Sequence, residues 1–242
     1  MRAEVFARLL SERAAKRSVA ILTNLQSGEQ SLLGPSDEMG GLALSATLRE
    51  AALRAIEQDS SRTIETEEGP VFIHVHSPPL RLAVVGAVHI AQPLVAMATV
   101  AGYAVTLIDP RQAFASDERF PGVAIMREWP GEALARLEPD HRTAIVTLGH
   151  DPKLDDPALD AALRSDAFYI GALGSERTQA ARRERLREAG FTDADFKRIH
   201  GPVGLAIGAR SPAEIAVSII AEMTQARRQP GALAGRAGAG AR

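Results

Sequence analysis

Residues 80–110 read LRLAVVGAVHIAQPLVAMATVAGYAVTLIDP, and between Arg81 and Asp109 no Asp, Glu, Lys or Arg occurs and His89 is the one histidine. Leu82–Val85 is a continuous apolar run, the pattern of a strand buried on both faces. Ile90–Ala101 has helical spacing, and Tyr103–Asp109 gives a second strand. Gly86, His89, Gln92, Pro93 and Gly102 interrupt the apolar stretch, so a strand, a helix and a strand are expected, and no membrane span.

The alternation continues downstream. Further strands are expected over Val123–Met126, Thr143–Leu148 and Ala167–Ile170. Helices are expected over Gly131–Leu137, Pro157–Arg164, Ser175–Ala189 and Ser211–Arg228. Short loops between alternating elements imply parallel pairing through right-handed crossovers: an α/β, Rossmann-like doubly wound parallel sheet. Before it lies a small N-terminal α+β region, with strands at Val19–Leu25 and Val71–Val75 and a helix over Leu42–Gln58. The expected organisation is therefore 1–78 for this region, 79–228 for the larger domain and 229–242 for a flexible Gly/Ala-rich tail.

Composition narrows the function. Lys and Arg number 28 against 30 Asp and Glu, so there is no basic excess to neutralise nucleic-acid phosphates. Aromatics are 4%, too few for a base-stacking single-strand binder. The chain has no cysteine, which excludes disulfides, thiolate metal sites and a thiol nucleophile. The N-terminal residues carry charges every few positions without an apolar core, so no signal peptide is expected and the location is read as cytoplasmic.

Ligands of doubly wound sheets bind beyond the carboxyl ends of the strands, and four loops fall there. The first, Gly86-Ala87-Val88-His89, keeps the opening glycine of a dinucleotide turn, but Val88 replaces the second. Asp109, 23 residues after Gly86, stands where an acid would hold an adenosine ribose. These features make NAD(P) a less favoured cofactor and an NAD(P)-binding oxidoreductase an alternative reading. The second loop, Gly149-His150-Asp151-Pro152-Lys153, offers an imidazole, a carboxylate and an ammonium, for acid–base work or a polar heterocycle; Asp151-Pro152 also fits a helix cap. The third, Gly171-Ala172-Leu173-Gly174-Ser175-Glu176-Arg177, has the makings of an anion cradle. The fourth, His200-Gly201-Pro202-Val203-Gly204 and onward, leads into a capping box at Ser211 and Glu214. His89, His150, Asp151 and His200 match no known metal-ligand spacing. Neither a metal site nor a complete catalytic constellation is read from the sequence, and whether the chain is an enzyme stays open.

Three long motifs carry a resemblance: HDPKLDDPAL (150–159), YIGALGSERT (169–178) and IHGPVGLAIGARSPAEIAVSIIAE (199–222). With LAVVGAVHIAQPL, VTLIDPR and FASDERFP (114–121), they are similar to the XdhC/CoxI family of xanthine dehydrogenase accessory proteins over about residues 70–228. The resemblance implies a Rossmann-type domain that binds molybdenum cofactor, as molybdopterin or its cytidine dinucleotide form. It also implies help with maturation and insertion into a molybdenum hydroxylase. The expected partner is the hydroxylase large subunit, with a cysteine desulfurase or a second XdhC-type protein as further candidates. Self-association is expected too, and neither nucleic acid nor membrane.

On that resemblance the cofactor would meet Gly86, His89, Asp109, Arg111, His150, Asp151, Lys153, Gly171, Gly174, Ser175, Arg177, His200, Gly201 and Gly204. The chain departs from the family at Val88, where G-A-G-H is frequent. It also lacks the Gly-Gly-Cys-Val-Glu motif of the family's N-terminal domain. Without a thiol, a carrier, a scaffold or one half of a paired system fits better than sulfur transfer. A ligand-free regulatory partner protein is a further alternative.

Overall fold

The structure is a computed structural model, and it describes residues 2–34, 37–149 and 151–229. His150 and all but the first residue of the expected tail lie outside the described residues. The chain divides into two compact units, Met1–Pro78 and Pro79–Arg242.

The first unit is α1 (Ala3–Ala14), β1 (Val19–Asn24), β2 (Gln30–Leu33), β3 (Glu38–Gly40), α2 (Ala46–Gln58), β4 (Arg62–Thr66) and β5 (Gly69–His76). Its strands form an antiparallel sheet in the order β3-β2-β1-β5-β4. Central strand β1 is buried on both faces because its alternate residues meet different helices. Ala20 and Leu22 join Leu48, Ala52 and Ala55 of α2, whereas Val19 and Ile21 join Val5 and Leu9 of α1. Ser45 caps α2 by accepting from the Leu48 N–H, which sets its start four residues inside the expected span. Helix α1 and strands β2 to β4 go beyond the sequence expectation.

The second unit runs β6 (Leu80–Val85), α3 (Ala91–Val100), β7 (Tyr103–Ile108), β8 (Ala124–Met126), α4 (Pro130–Leu137), β9 (Thr143–Thr147) and α5 (Pro152–Leu163). It continues with β10 (Tyr169–Ala172), α6 (Glu176–Glu188), α7 (Asp193–Phe196), β11 (Ile199–His200) and α8 (Pro212–Arg228). Six parallel strands lie in the order β11-β10-β9-β6-β7-β8. Counted within this unit, that is the 3-2-1-4-5-6 order of a Rossmann sheet, reversing between β6 and β9.

Leu82 and Val84 face a core with Leu94 and Ala98 of α3 and Ile219 and Met223 of α8. Ala83 and Val85 face the other core, with Leu134 of α4, Leu159 of α5 and Leu186 of α6. The uninterrupted apolar run of β6 is thus explained by helices on both faces. Helix α5 begins at Pro152, five residues earlier than its spacing suggested, because Asp151 caps it and Pro152 takes the first helical position. Pro157 then lies inside the helix, where burial of Leu154, Ala158 and Leu159 offsets its missing N–H. No helix among the described residues is long and apolar enough to cross a membrane.

Candidate functional site

Strand β6 ends in Gly86, whose φ of 102° is a conformation L side chains rarely adopt. A Cβ there would also sit 3.3 Å from the Gly149 nitrogen, at the loop after β9. The first and second rim loops therefore meet at the point where strand order reverses. Val88, which replaces the second glycine of the turn, packs against the α3-side core. Helix α3 starts at Ile90 without a side-chain cap, whereas α5, α6 and α8 are capped by Asp151, Ser175 and Ser211. His89 is exposed beside this uncapped start.

Asp109 does not have the role expected of a ribose or pterin partner. Its side chain is fully buried. One oxygen accepts from the backbone N–H and Nε of Arg111, both at 2.9 Å. The other accepts from Arg111 Nη2 and the Ala87 N–H, both at 2.8 Å. Burial works against ionisation, but these donors prevail and hold the carboxyl below its ordinary range. Asp109 is thus a clamp joining the Gly86 turn to Arg111, and the outward group is the guanidinium.

Asp151 spends one oxygen on the N–H of Lys153, 3.0 Å away, so the cap is realised. The Lys153 side chain is exposed. Beneath this loop lies a network with no counterpart among the expected site residues. Asp155 pairs with Arg182 at 3.1 Å, each side chain 3% exposed. Arg182 Nη1 donates to Gln179 Oε1 at 2.6 Å, and Gln179 Nε2 donates to the Ala172 carbonyl at 2.9 Å. Burial pulls the Arg182 pKa down, against the pull of Asp155 and Asp156. The clue in the sequence was a carboxylate and an arginine on the apolar sides of two helices, which charge alone assigns to solvent.

The third loop divides into two roles. Gly171 is buried inside β10. A Cβ there would lie 2.6 Å from Val203 Cγ2 and 2.8 Å from the Tyr169 ring. Gly174, with φ 136°, is the turn proper. Ser175 accepts from the Thr178 N–H as the α6 cap. Arg177, in the first turn of α6, is exposed.

The fourth loop is fastened inward. The His200 ring stacks on Tyr169 with centroids 4.7 Å apart, and His200 Nδ1 lies 3.7 Å from Glu222 Oε1. The Gly204 N–H donates to Glu222 Oε2 at 2.8 Å, and a Cβ at Gly201 would strike the Gln179 amide. His200, Gly201 and Gly204 thus secure the loop to α8 and α6. Glu222 and Tyr169, which hold them, were not among the expected site residues. A groove of about 780 Å³ between α4, α5 and α6 is lined by Leu134, Pro157, Ala161 and Leu186 and does not include the rim loops.

What faces outward is therefore an uncapped helix start with His89, Arg111, Lys153 and Arg177, and beside them the carboxylates of Asp151 and Glu176. Residues 82–223, more than half of the chain, match the model of the XdhC Rossmann domain. The chain belongs to the XdhC family. Among relatives of this XdhC protein is the molybdenum cofactor insertion chaperone PaoD of Escherichia coli, 37% identical over 41% of this chain and 30% of PaoD. Another, from Bacillus subtilis, is named as a probable subunit of xanthine dehydrogenase and is 32% identical over 71% of this chain and 52% of that protein. A crystal structure described as a xanthine dehydrogenase from Bacillus halodurans superimposes with a TM-score of 0.71 at 27% identity. It covers 91% of this chain and 65% of its own. The XdhC chain thus spans from a third to two thirds of the length of these relatives.

Proposed function

We propose that this XdhC protein binds molybdenum cofactor at the rim of its parallel sheet and assists its insertion into a molybdenum hydroxylase of the xanthine dehydrogenase type. The observation that carries the reading is how charge is distributed at the rim. Asp109, Asp155 and Glu222 are buried and engaged, while Arg111, Lys153 and Arg177 are exposed, with Asp151, which caps α5, and Glu176 of the first turn of α6 as the exposed acids beside them. Together with the start of α3, which has no side-chain cap and keeps the Gln92 N–H although Ala91 donates to the Val88 carbonyl and Pro93 has no N–H, this suits the phosphate of a molybdopterin, which needs N–H donors and cations. His89 and Arg111 would lie toward the phosphate or ring, and Lys153 and Arg177 toward further anionic groups. Bound cofactor would supply the molybdenum and its dithiolene; the chain supplies orientation and charge.

The relative named as an insertion chaperone supports a carrier role. On this reading the protein hands the cofactor to the hydroxylase large subunit in the cytoplasm, alone or beside a second XdhC-type protein. Anaerobic titration with molybdopterin released from a hydroxylase tests it. Binding at micromolar protein and recovery of the large subunit in pull-down are expected. Absence of both overturns the reading.

An NAD(P) site is less well supported. Both carboxylate oxygens of Asp109 are taken by Arg111 and Ala87, so none is left for a ribose hydroxyl.

A further inference from the structure

We infer that Arg111 and Phe114 form a stacking shelf for a flat, hydrogen-bonding heterocycle. This deepens the cofactor-site reading and rests on it. Arg111 cannot swing freely. Its Nε and Nη2 grip the two oxygens of Asp109 at 2.9 and 2.8 Å, a fork that fixes the guanidinium plane. Asp109 is itself immobilised in the core by the Ala87 N–H.

The Arg111 guanidinium lies over the Phe114 ring, 4.5 Å from its centroid. The chain between them closes as a tight turn, with the Phe114 N–H donating to the Arg111 carbonyl at 2.9 Å. Arg119 then ties the shelf to the first rim loop. Its Nη1 donates both to the Phe114 carbonyl and, at 3.0 Å, to the Ala87 carbonyl. One nitrogen therefore holds the backbone of the shelf beside the backbone of the Gly86 turn.

The shelf has a usable surface. The Arg111 side chain is 40% exposed and Phe114 is 44% exposed. Arg111 Nη1 makes no hydrogen bond among the described residues. A lone exposed phenylalanine is ordinary. A phenylalanine beneath a guanidinium locked in one plane is a preformed platform, and its ordering entropy is already spent in the folded protein. It follows the second strand of the Rossmann sheet, one strand away from the order reversal at whose crevice such sheets bind dinucleotides. A delocalised cation over an aromatic ring favours a flat heteroaromatic system, and the remaining N–H donors favour ring nitrogens or carbonyls. A pterin and a cytosine share that chemistry. The shelf therefore takes the ring, while the start of α3 takes the phosphate.

The test compares binding of molybdopterin and of its cytidine dinucleotide form by the wild-type chain, Phe114→Ala and Phe114→Tyr, with thermal unfolding recorded for each. Stacking on one side chain is worth about 1–3 kcal/mol, roughly 5- to 150-fold in Kd. Phe114→Ala is expected to weaken binding by that factor with unchanged thermal stability. Phe114→Tyr is expected to stay within about threefold, since it keeps the ring. Competition identifies the ring: cytidine monophosphate displacing the ligand assigns a nucleobase, and pterin-6-carboxylate a pterin. If Phe114→Ala binds both forms as the wild type does, the shelf is overturned and the carrier reading stands. If the wild type binds neither form, both fall.

Discussion

The hydroxyl of Tyr169, at the start of β10, donates a 2.6 Å hydrogen bond to Glu222 of α8, fifty-three residues later. The same Glu222 oxygen accepts from the Gly204 N–H, and the tyrosine ring supports His200. One buried carboxylate thus holds a strand, a loop and a helix in register. Burial and the neighbouring Glu222 charge push the tyrosine hydroxyl well above its ordinary pKa. Burial also opposes ionisation of Glu222, but His200, Tyr169 and Gly204 prevail and hold it below the ordinary carboxylate value of 4.5.

The first expectation concerns pH. A carboxyl whose folded pKa is lowered contributes stability above its unfolded value, and that contribution is lost as pH falls through the folded value. Chemical unfolding of the wild type should therefore show stability declining below about pH 4.5, and Glu222→Gln should flatten that acid limb. Tyr169→Phe keeps the ring but leaves Glu222 one donor short, at a cost of roughly 1–3 kcal/mol. An unchanged midpoint for Tyr169→Phe would mean that the hydroxyl contributes nothing.

Arg182→Leu should cost about 3–5 kcal/mol, since it removes the guanidinium paired with the buried Asp155 carboxylate. Asp155→Leu abandons the guanidinium in turn. The double variant should cost less than the sum of the two single losses, by a coupling of about 0.5–3 kcal/mol in a double-mutant cycle. Additive effects would show that the two residues act separately.

Gly171→Ala places a methyl 2.6 Å from Val203 Cγ2 and against the Tyr169 ring. Overpacking of this kind costs about 1–3 kcal/mol. The strain falls on Val203, so amide exchange in residues 200–205 should accelerate. Protection equal to wild type would count against it.

Lys153→Glu and Arg177→Glu alter exposed side chains, and melting temperatures should hold. Molybdopterin affinity should drop about tenfold for each at low salt, and the difference should shrink as ionic strength rises. A salt-independent loss, or none, would remove these cations from the site.

NADH should give no fluorescence change at low-micromolar protein. Val88→Gly should not restore one, because Asp109 remains clamped to Arg111. Loss of the Val88 packing should instead cost roughly 1–3 kcal/mol. Tight NADH binding by the variant would reopen the dinucleotide reading.

The parallel sheet was legible because β6, β7 and β9 are runs of apolar residues, and periodicity reports burial on both faces directly. The loops at its rim were legible because glycines mark strand ends. Their inner wiring was not. Asp109, Gly171 and Gly204 carry the residue types of a ligand site, yet Asp109 is held by neighbouring Arg111 and by Ala87, Gly171 abuts Val203, and Gly204 is bonded to Glu222. Tyr169 and Glu222 are separated by 53 positions, and no local pattern announces such a pair. In the first unit, β2 and β3 are only four and three residues long, below the length at which alternation becomes evident.

Trp129, the single tryptophan, precedes α4 just past the end of β8 and is 52% exposed. Its emission is therefore a built-in optical probe. Excitation at the red edge of protein absorbance isolates that indole from both tyrosines. A quenching titration then follows events at this sheet end without labels, and a half-immersed indole leaves room for either a blue or a red spectral displacement.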